Sequence, residues 1–134
     1  MVFTKVELYG VNNDGNPRRY TIADATAVSK GQLLALNDER TAVATTVTGQ
    51  MYAGIASEEK TANNGATSIS CWTDGIFRGL ASDAILIGAA LTGGAAQNTL
   101  YQILGSSYLS GAFCIGYSLD AVAHGETASF RLRL

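Results

Sequence analysis

The chain has 134 residues, a mass of 14.0 kDa and a formal charge of −2 at pH 7, a length that makes one compact domain. Charged residues are 15% of it, below the ~25% usual for soluble domains, and this balance lacks the clustered cations a nucleic-acid binder needs. A thinly charged surface with net charge near zero promotes association, so the composition points to an oligomer.

Short alternating runs separated by Gly, Asn, Asp and Ser predict an all-β chain with little helix. Val2 to Tyr9 places Val2, Val6 and Leu8 on one face and Lys5 and Glu7 on the other, as a half-buried strand requires. Asn12 to Pro17 is a run of turn formers holding the single proline. Arg19 to Ala23 and the apolar Gln32 to Leu36 follow as short strands. Thr41 to Val47 is rich in β-branched residues and alternates. Gln50 to Ala56 puts Met51, Ala53 and Ile55 on one face, and the charged loop Ser57 to Gly65 closes on Asn64-Gly65, a hairpin cue.

Thr67 to Trp72 turns Ile69 and Cys71 one way and Ser68, Ser70 and Trp72 the other. Thr73-Asp74-Gly75 then reads as a hairpin turn into Ile76 to Leu80. In Ser82 to Leu91, Ser82 could cap a helical turn, yet Ile85 and Ile87 alternate as in a strand, and extended structure is the expectation. A small-residue loop, Thr92 to Asn98, precedes a short strand at Thr99 to Leu104. Gly111 to Leu119 lines up Phe113, Ile115, Tyr117 and Leu119 against Ala112, Cys114, Gly116 and Ser118, and the flat second face could abut a neighbouring subunit or a second sheet. The last strand alternates Ala128, Phe130, Leu132 and Leu134 with Thr127, Ser129, Arg131 and Arg133.

Catalytic constellations are missing from this pattern. His124 is the single histidine and sits in a turn-like Ala123-His124-Gly125 setting, with no nucleophile signature to serve. Glu58-Glu59 and Asp38-Glu39 are adjacent on extended backbone, so their carboxylates diverge rather than pair. Asn12 to Asn16 is a poor calcium loop, because the twelfth position is Ala23 where a bidentate Glu belongs. No glycine-rich phosphate signature occurs, and Gly93-Gly94 opens no helix. The reading is therefore no catalytic residues, no metal ligands and no cofactor. Trp72 with Tyr52, Tyr101, Tyr108 and Tyr117 could stack a sugar, with core or interface packing as the plainer use. Arg18-Arg19 and Arg131 with Arg133 could meet acidic groups of a partner.

Cys71 and Cys114 are expected as free thiols. The first residues carry no leader or transit pattern, which fits synthesis in a cytoplasm. The most apolar stretch, Ala84 to Leu91, is too short to cross a bilayer.

The order of three segments, TAVSKGQLLALNDERTA, YAGIASEEKTANNGATSISCWTDGIFRGLASDAILIGAALT and GAFCIGYSLDAVAHGETASFRLRL, resembles the small capsid decoration (cement) proteins of tailed bacteriophages over Thr21 to Leu134. The resemblance rests on Gly31, Gly54-Ile55-Ala56, Asp74-Gly75-Ile76-Phe77, Gly116-Tyr117-Ser118-Leu119 and Arg131-Leu132-Arg133-Leu134. It implies an all-β barrel or β-sandwich over residues 21–134, preceded by an arm at 1–20 to which the Asn12–Pro17 turn and Arg18-Arg19 are additions. The implied assembly is a homotrimer on the outside of an icosahedral head, made in the host bacterial cytoplasm. Its partners would be the major capsid protein and its own copies, with no nucleic acid and no membrane.

On that reading the arm residues Val2, Phe3, Thr4, Lys5, Val6, Glu7, Leu8 and Tyr9, with Arg18 and Arg19, are expected to contact the capsid. Trp72, Ile76, Phe77 and Cys114 are expected at the trimer interface, because Trp72 and the small face around Cys114 lie opposite their strands' main apolar faces. The rival readings are a tail or fibre adaptor, a carbohydrate-binding domain using Trp72 and the tyrosines, and a small enzyme around His124.

Overall fold

The computed structural model describes residues 3–7, 17–45, 50–94, 98–103 and 114–134, which form eleven strands and, among the described residues, no helix. In chain order they are β1 (Thr4–Glu7), β2 (Arg18–Thr21), β3 (Leu33–Asp38), β4 (Thr41–Ala44), β5 (Tyr52–Ala56), β6 (Ser68–Trp72), β7 (Asp74–Ala81), β8 (Ala90–Gly93), β9 (Thr99–Gln102), β10 (Gly116–Ser118) and β11 (Thr127–Arg133).

The all-β expectation holds, and the strands close into two small barrels rather than one. The N-terminal barrel runs β2-β4-β3-β5-β6 and closes through antiparallel β2–β6 pairing. The C-terminal barrel runs β7-β11-β10-β8-β9 and closes through a parallel β7–β9 contact, with β1 laid along the remaining edge of β7. Closure leaves few open edges, which removes the backbone groups that would otherwise template aggregation.

Each barrel is filled by the inward phase of its strands. Ile22, Val28, Leu34, Ala42, Ala53, Ala56, Ile69 and Cys71 fill the N-terminal barrel. In the C-terminal barrel, Phe77 and Ala81 of β7 face Ala128, Phe130 and Leu132 of β11, with the full register Thr127↔Leu80 to Arg133↔Asp74. Phe130 centres an aromatic cluster, its ring 5.3 Å from Phe3 and 6.2 Å from Phe77.

The two barrels share one core. Leu33, Tyr52, Ile55 and Trp72 leave the N-terminal barrel on its outer side and join the C-terminal cluster, with Trp72 5.7 Å from Phe77 between ring centres. Polar contacts hold the seam: the Phe3 amide donates to the Gly31 carbonyl at 2.8 Å, and the Leu33 amide to Asn98 Oδ1 at 2.8 Å. The buried Tyr52 hydroxyl accepts from the Gly93 amide at 3.0 Å and lies 3.1 Å from Thr92 Oγ1. Tyr52→Phe keeps the ring but strands these buried groups, so it is expected to cost about 1–3 kcal/mol. Urea unfolding of the variant beside the parent checks this; an unchanged midpoint would show the hydroxyl to be idle.

Several local expectations change for physical reasons. Thr73-Asp74-Gly75 is not a hairpin turn, because β6 pairs with β2 and β5 whereas β7 pairs with β1, β11 and β9. The chain instead steps through Thr73 from one barrel into the other. Met51, Ala53 and Ile55 do not share a face: the β3–β5 register slips so that Leu34 faces Gly54 and Ala35 faces Tyr52, a bulge at Ala53. Tyr52 and Ile55 then point to the seam and Ala53 and Ala56 into the barrel.

The C-terminal part of Gly111 to Leu119 also departs from the expected alternation, here without a register slip in β10. Gly116 has φ +155, and around it Ile115 and Ser118 are both buried while Tyr117 is exposed. Ser82 to Ala89 is irregular apart from an Ile85↔Val122 bridge, and the expected loop at Thr92 begins inside β8. Lys60, in the segment expected as a charged loop, is buried, its ammonium donating to the carbonyls of Asp24 at 2.7 Å and Thr26 at 3.0 Å.

Candidate functional site

A cationic face forms on the N-terminal barrel because β2 alternates. Arg19 points across β6, where its guanidinium donates to Ser68 Oγ at 2.7 Å and Ser70 Oγ at 3.0 Å and lies 3.8 Å from Glu58. Arg18 and Tyr20 take the other phase. A parallel contact, Thr21↔Thr41, and the Thr21 amide donating to the Arg40 carbonyl at 2.7 Å bring the β3–β4 turn beside them. Arg40 there has φ +49, and its Nη2 donates to the Arg19 carbonyl at 3.2 Å. Arg18, Tyr20 and Arg40 line a cleft of about 220 Å³.

A second surface lies on the C-terminal barrel. Leu86 and Ile87 are 66% and 72% exposed at the tip of the segment between β7 and β8, held up by the Leu86 amide donating to Gln102 Oε1 at 2.7 Å and the Gly88 amide to the Ser118 carbonyl at 2.9 Å. Two large adjacent apolar side chains thus stand in water at a turn held by hydrogen bonds.

The residues expected at interfaces are distributed differently. Phe3 is buried against Phe130, so it is not free to reach a capsid. Thr4 to Glu7 form β1, paired to β7, and Val2, Leu8 and Tyr9 lie outside the described residues, as does the Asn12–Asn16 turn. Arg18 and Arg19 are exposed on β2. Trp72 and Phe77 are buried inside the chain itself, so they offer no surface to a second copy. Trp72 does lie opposite its strand's inward face, and what covers it is the chain's own other barrel, with Lys30 Nζ 5.9 Å from its ring.

Ile76 and Cys114 are part-exposed, and the Cys114 thiol donates to the Gly116 carbonyl at 3.3 Å. The aromatic platform is not assembled, since Tyr52 and Trp72 are buried and Tyr108 lies outside the described residues. His124 is exposed, with Nδ1 2.8 Å from the Ser82 carbonyl oxygen.

Cys71 is sealed in the N-terminal barrel, and burial, with a smaller effect from the Glu58 carboxylate, pushes its thiol from 9.0 up to about 12. An acid whose folded pKa is raised stabilises the fold fully below its unfolded pKa. That contribution is lost from about pH 9 to pH 12, at roughly 1.4 kcal/mol per pH unit. The folded protein at pH 8 is therefore expected to leave Cys71 unalkylated by iodoacetamide until denaturant is added. Cys71→Ala is expected to flatten the alkaline limb of the stability profile. Rapid native labelling of Cys71, read by peptide mass spectrometry, would contradict this burial.

The architecture now has a counterpart. Among solved structures the chain is similar to the crystal structure of the head fiber gp8.5 N base in bacteriophage phi29, with a TM-score of 0.52 and 16% identity, covering 87% of this chain and 92% of that one. That likeness is one of fold. No protein-family model and no curated protein matches the sequence.

Sequence reasoning missed Tyr20 and Arg40 as neighbours of Arg18, and missed Leu86 and Ile87 as exposed. The first depends on a parallel contact between distant strands, which leaves no local pattern. The signal for the second was present, since apolar Leu86-Ile87 directly precedes Gly88, a turn residue with φ +74.

Proposed function

We propose that this chain is a structural protein of a phage virion that decorates the outer surface of an icosahedral head and cements it, binding as a homotrimer between capsomers and acting without catalysis. The observation that carries the reading is the shared fold with a head fiber base over nearly the whole of both chains. It agrees with the thin surface charge, with the exposed Leu86-Ile87 tip and with the cationic face on β2. Each is a small contact, and repetition over a trimer on a symmetric shell multiplies weak contacts into firm attachment. The second reading, a fibre base or adaptor fixed to the virion, is favoured by that structural neighbour being a head fiber base.

Purified protein mixed with expanded heads that lack it, followed by pelleting and a heat challenge, separates the two. Stoichiometric co-pelleting with raised heat resistance supports cementing. Co-pelleting without stabilisation transfers the proposal to the fibre-base reading, and absence from the pellet overturns both. Sedimentation equilibrium on the free protein tests the trimer.

A further inference from the structure

Arg18 and Arg40 share a cleft in which the described residues place no counter-charge. Among the described residues neither lies within ion-pair distance of a carboxylate, whereas Arg19, Lys60 and Arg131 each have one, at 3.8, 3.9 and 3.3 Å. Asp38 and Glu39, the acidic residues nearest Arg40 in sequence, do not serve it, and Asp38 Oδ1 instead accepts the Glu39 amide at 2.7 Å. Two guanidiniums facing one opening repel each other, so a negative group between them removes a cost as well as adding charge-assisted hydrogen bonds.

The third wall is Tyr20, a part-buried phenol whose burial raises its pKa and keeps it a hydroxyl. The described side chains lining the cleft thus present mainly hydrogen-bond donors. Its size narrows the occupant further. About 220 Å³ falls below the ~300–1,000 Å³ of sites that enclose small-molecule ligands, so it suits the end of a side chain better than a nucleotide or a sugar ring.

We propose that the Arg18–Tyr20–Arg40 cleft is a socket for the carboxylate of an acidic side chain presented by the protein surface on which this chain docks. The identity of that surface rests on the proposed function; the socket's chemistry rests on the cleft. In this arrangement Arg18 supplies an uncommitted guanidinium. Arg40 is a preset one, fixed by its bond to the Arg19 carbonyl. Arg19 belongs to the barrel wall and not to the socket.

The test has two arms. In the first, the full chain, ¹⁵N-labelled, is titrated with N-acetylglutamate N-methylamide and, separately, with inorganic phosphate. Saturable shifts at Arg18, Tyr20 and Arg40, with a dissociation constant on the order of 10 mM or tighter, are expected for the carboxylate. They should weaken at least ~10-fold in Arg18→Gln and persist in Arg133→Gln, a cation elsewhere on the surface. No saturable shift, or equal shifts in Arg18→Gln, overturns the socket. Phosphate binding that far exceeds carboxylate binding overturns it in favour of a free-anion site.

In the second arm, Arg18→Gln with Arg40→Gln is expected to cut head co-pelleting at least ~10-fold and flatten its salt dependence, with thermal melting unchanged. Arg18→Gln alone, which breaks no bond within the described residues, serves if the double variant melts early. Unchanged co-pelleting by a folded variant that has lost carboxylate binding overturns the docking role. Failure of the parent protein to co-pellet defeats the proposed function and leaves the first arm to judge the socket.

Discussion

Phe130→Ala is expected to lower the free energy of unfolding by about 3–5 kcal/mol, the range for emptying an aromatic side chain from a packed core. Phe130 is fully buried on β11, opposite Phe77 in the central strand pair, and its ring is also met edge-on by Phe3. Phe77 of β7 and Phe3, just ahead of β1, therefore lose a partner together, and the shared core transmits the loss from the C-terminal barrel to the seam at Trp72. Against a total stability of about 5–15 kcal/mol for a domain, much of the margin disappears. Urea unfolding followed by tryptophan fluorescence measures it, since Trp72 reports the seam directly. A loss under about 1 kcal/mol would mean that the cavity collapses and that the aromatic cluster does not hold the core together.

What the sequence disclosed follows a simple physical division. Strands whose two faces meet different surroundings were legible: β11 alternates Ala128, Phe130 and Leu132 inward with Ser129 and Arg131 outward, and β6 does so with Ile69 and Cys71. Period-two alternation records an environment, so it is clear where one side is wet. β5 is buried along its whole length because one side fills a barrel and the other fills the seam. Its face assignment therefore could not be read from polarity, and the bulge at Ala53 shifted it further.

Trp72 shows the same limit from the other direction. Its apolar bulk on the second face of β6 correctly demands a covering layer, but periodicity does not say whether that layer is another subunit or another part of the chain. The answer depends on a barrel assembled from β7 to β11, closed by the β7–β9 contact between segments nearly twenty residues apart. The candidate socket was half legible. Arg18 was singled out, with Arg19, as a cation that could meet acidic groups of a partner, whereas Tyr20 and Arg40 join it through the equally non-local Thr21↔Thr41 contact.

Gly54→Ala is expected to destabilise the protein by about 3–5 kcal/mol, although it adds a single methyl group. Gly54 has φ +143, a region that L side chains rarely adopt. A Cβ there would also run into the backbone carbonyl oxygen of Trp72. Strain of this kind costs about 1–3 kcal/mol where the surroundings hold the backbone in place, and the steric conflict adds to it because the neighbour is β6 itself rather than a flexible side-chain end. Relief requires moving β6, which carries Cys71 into one core and Trp72 into the other.

An exposed glycine supplies the contrast. Gly65 has φ +83 but open space where a Cβ would stand, so Gly65→Ala should lose only the conformational part, about 1 kcal/mol. Parallel urea melts of the two variants separate strain from collision. Equal losses would show that the approach of β5 to β6 at Gly54 is looser than this packing requires.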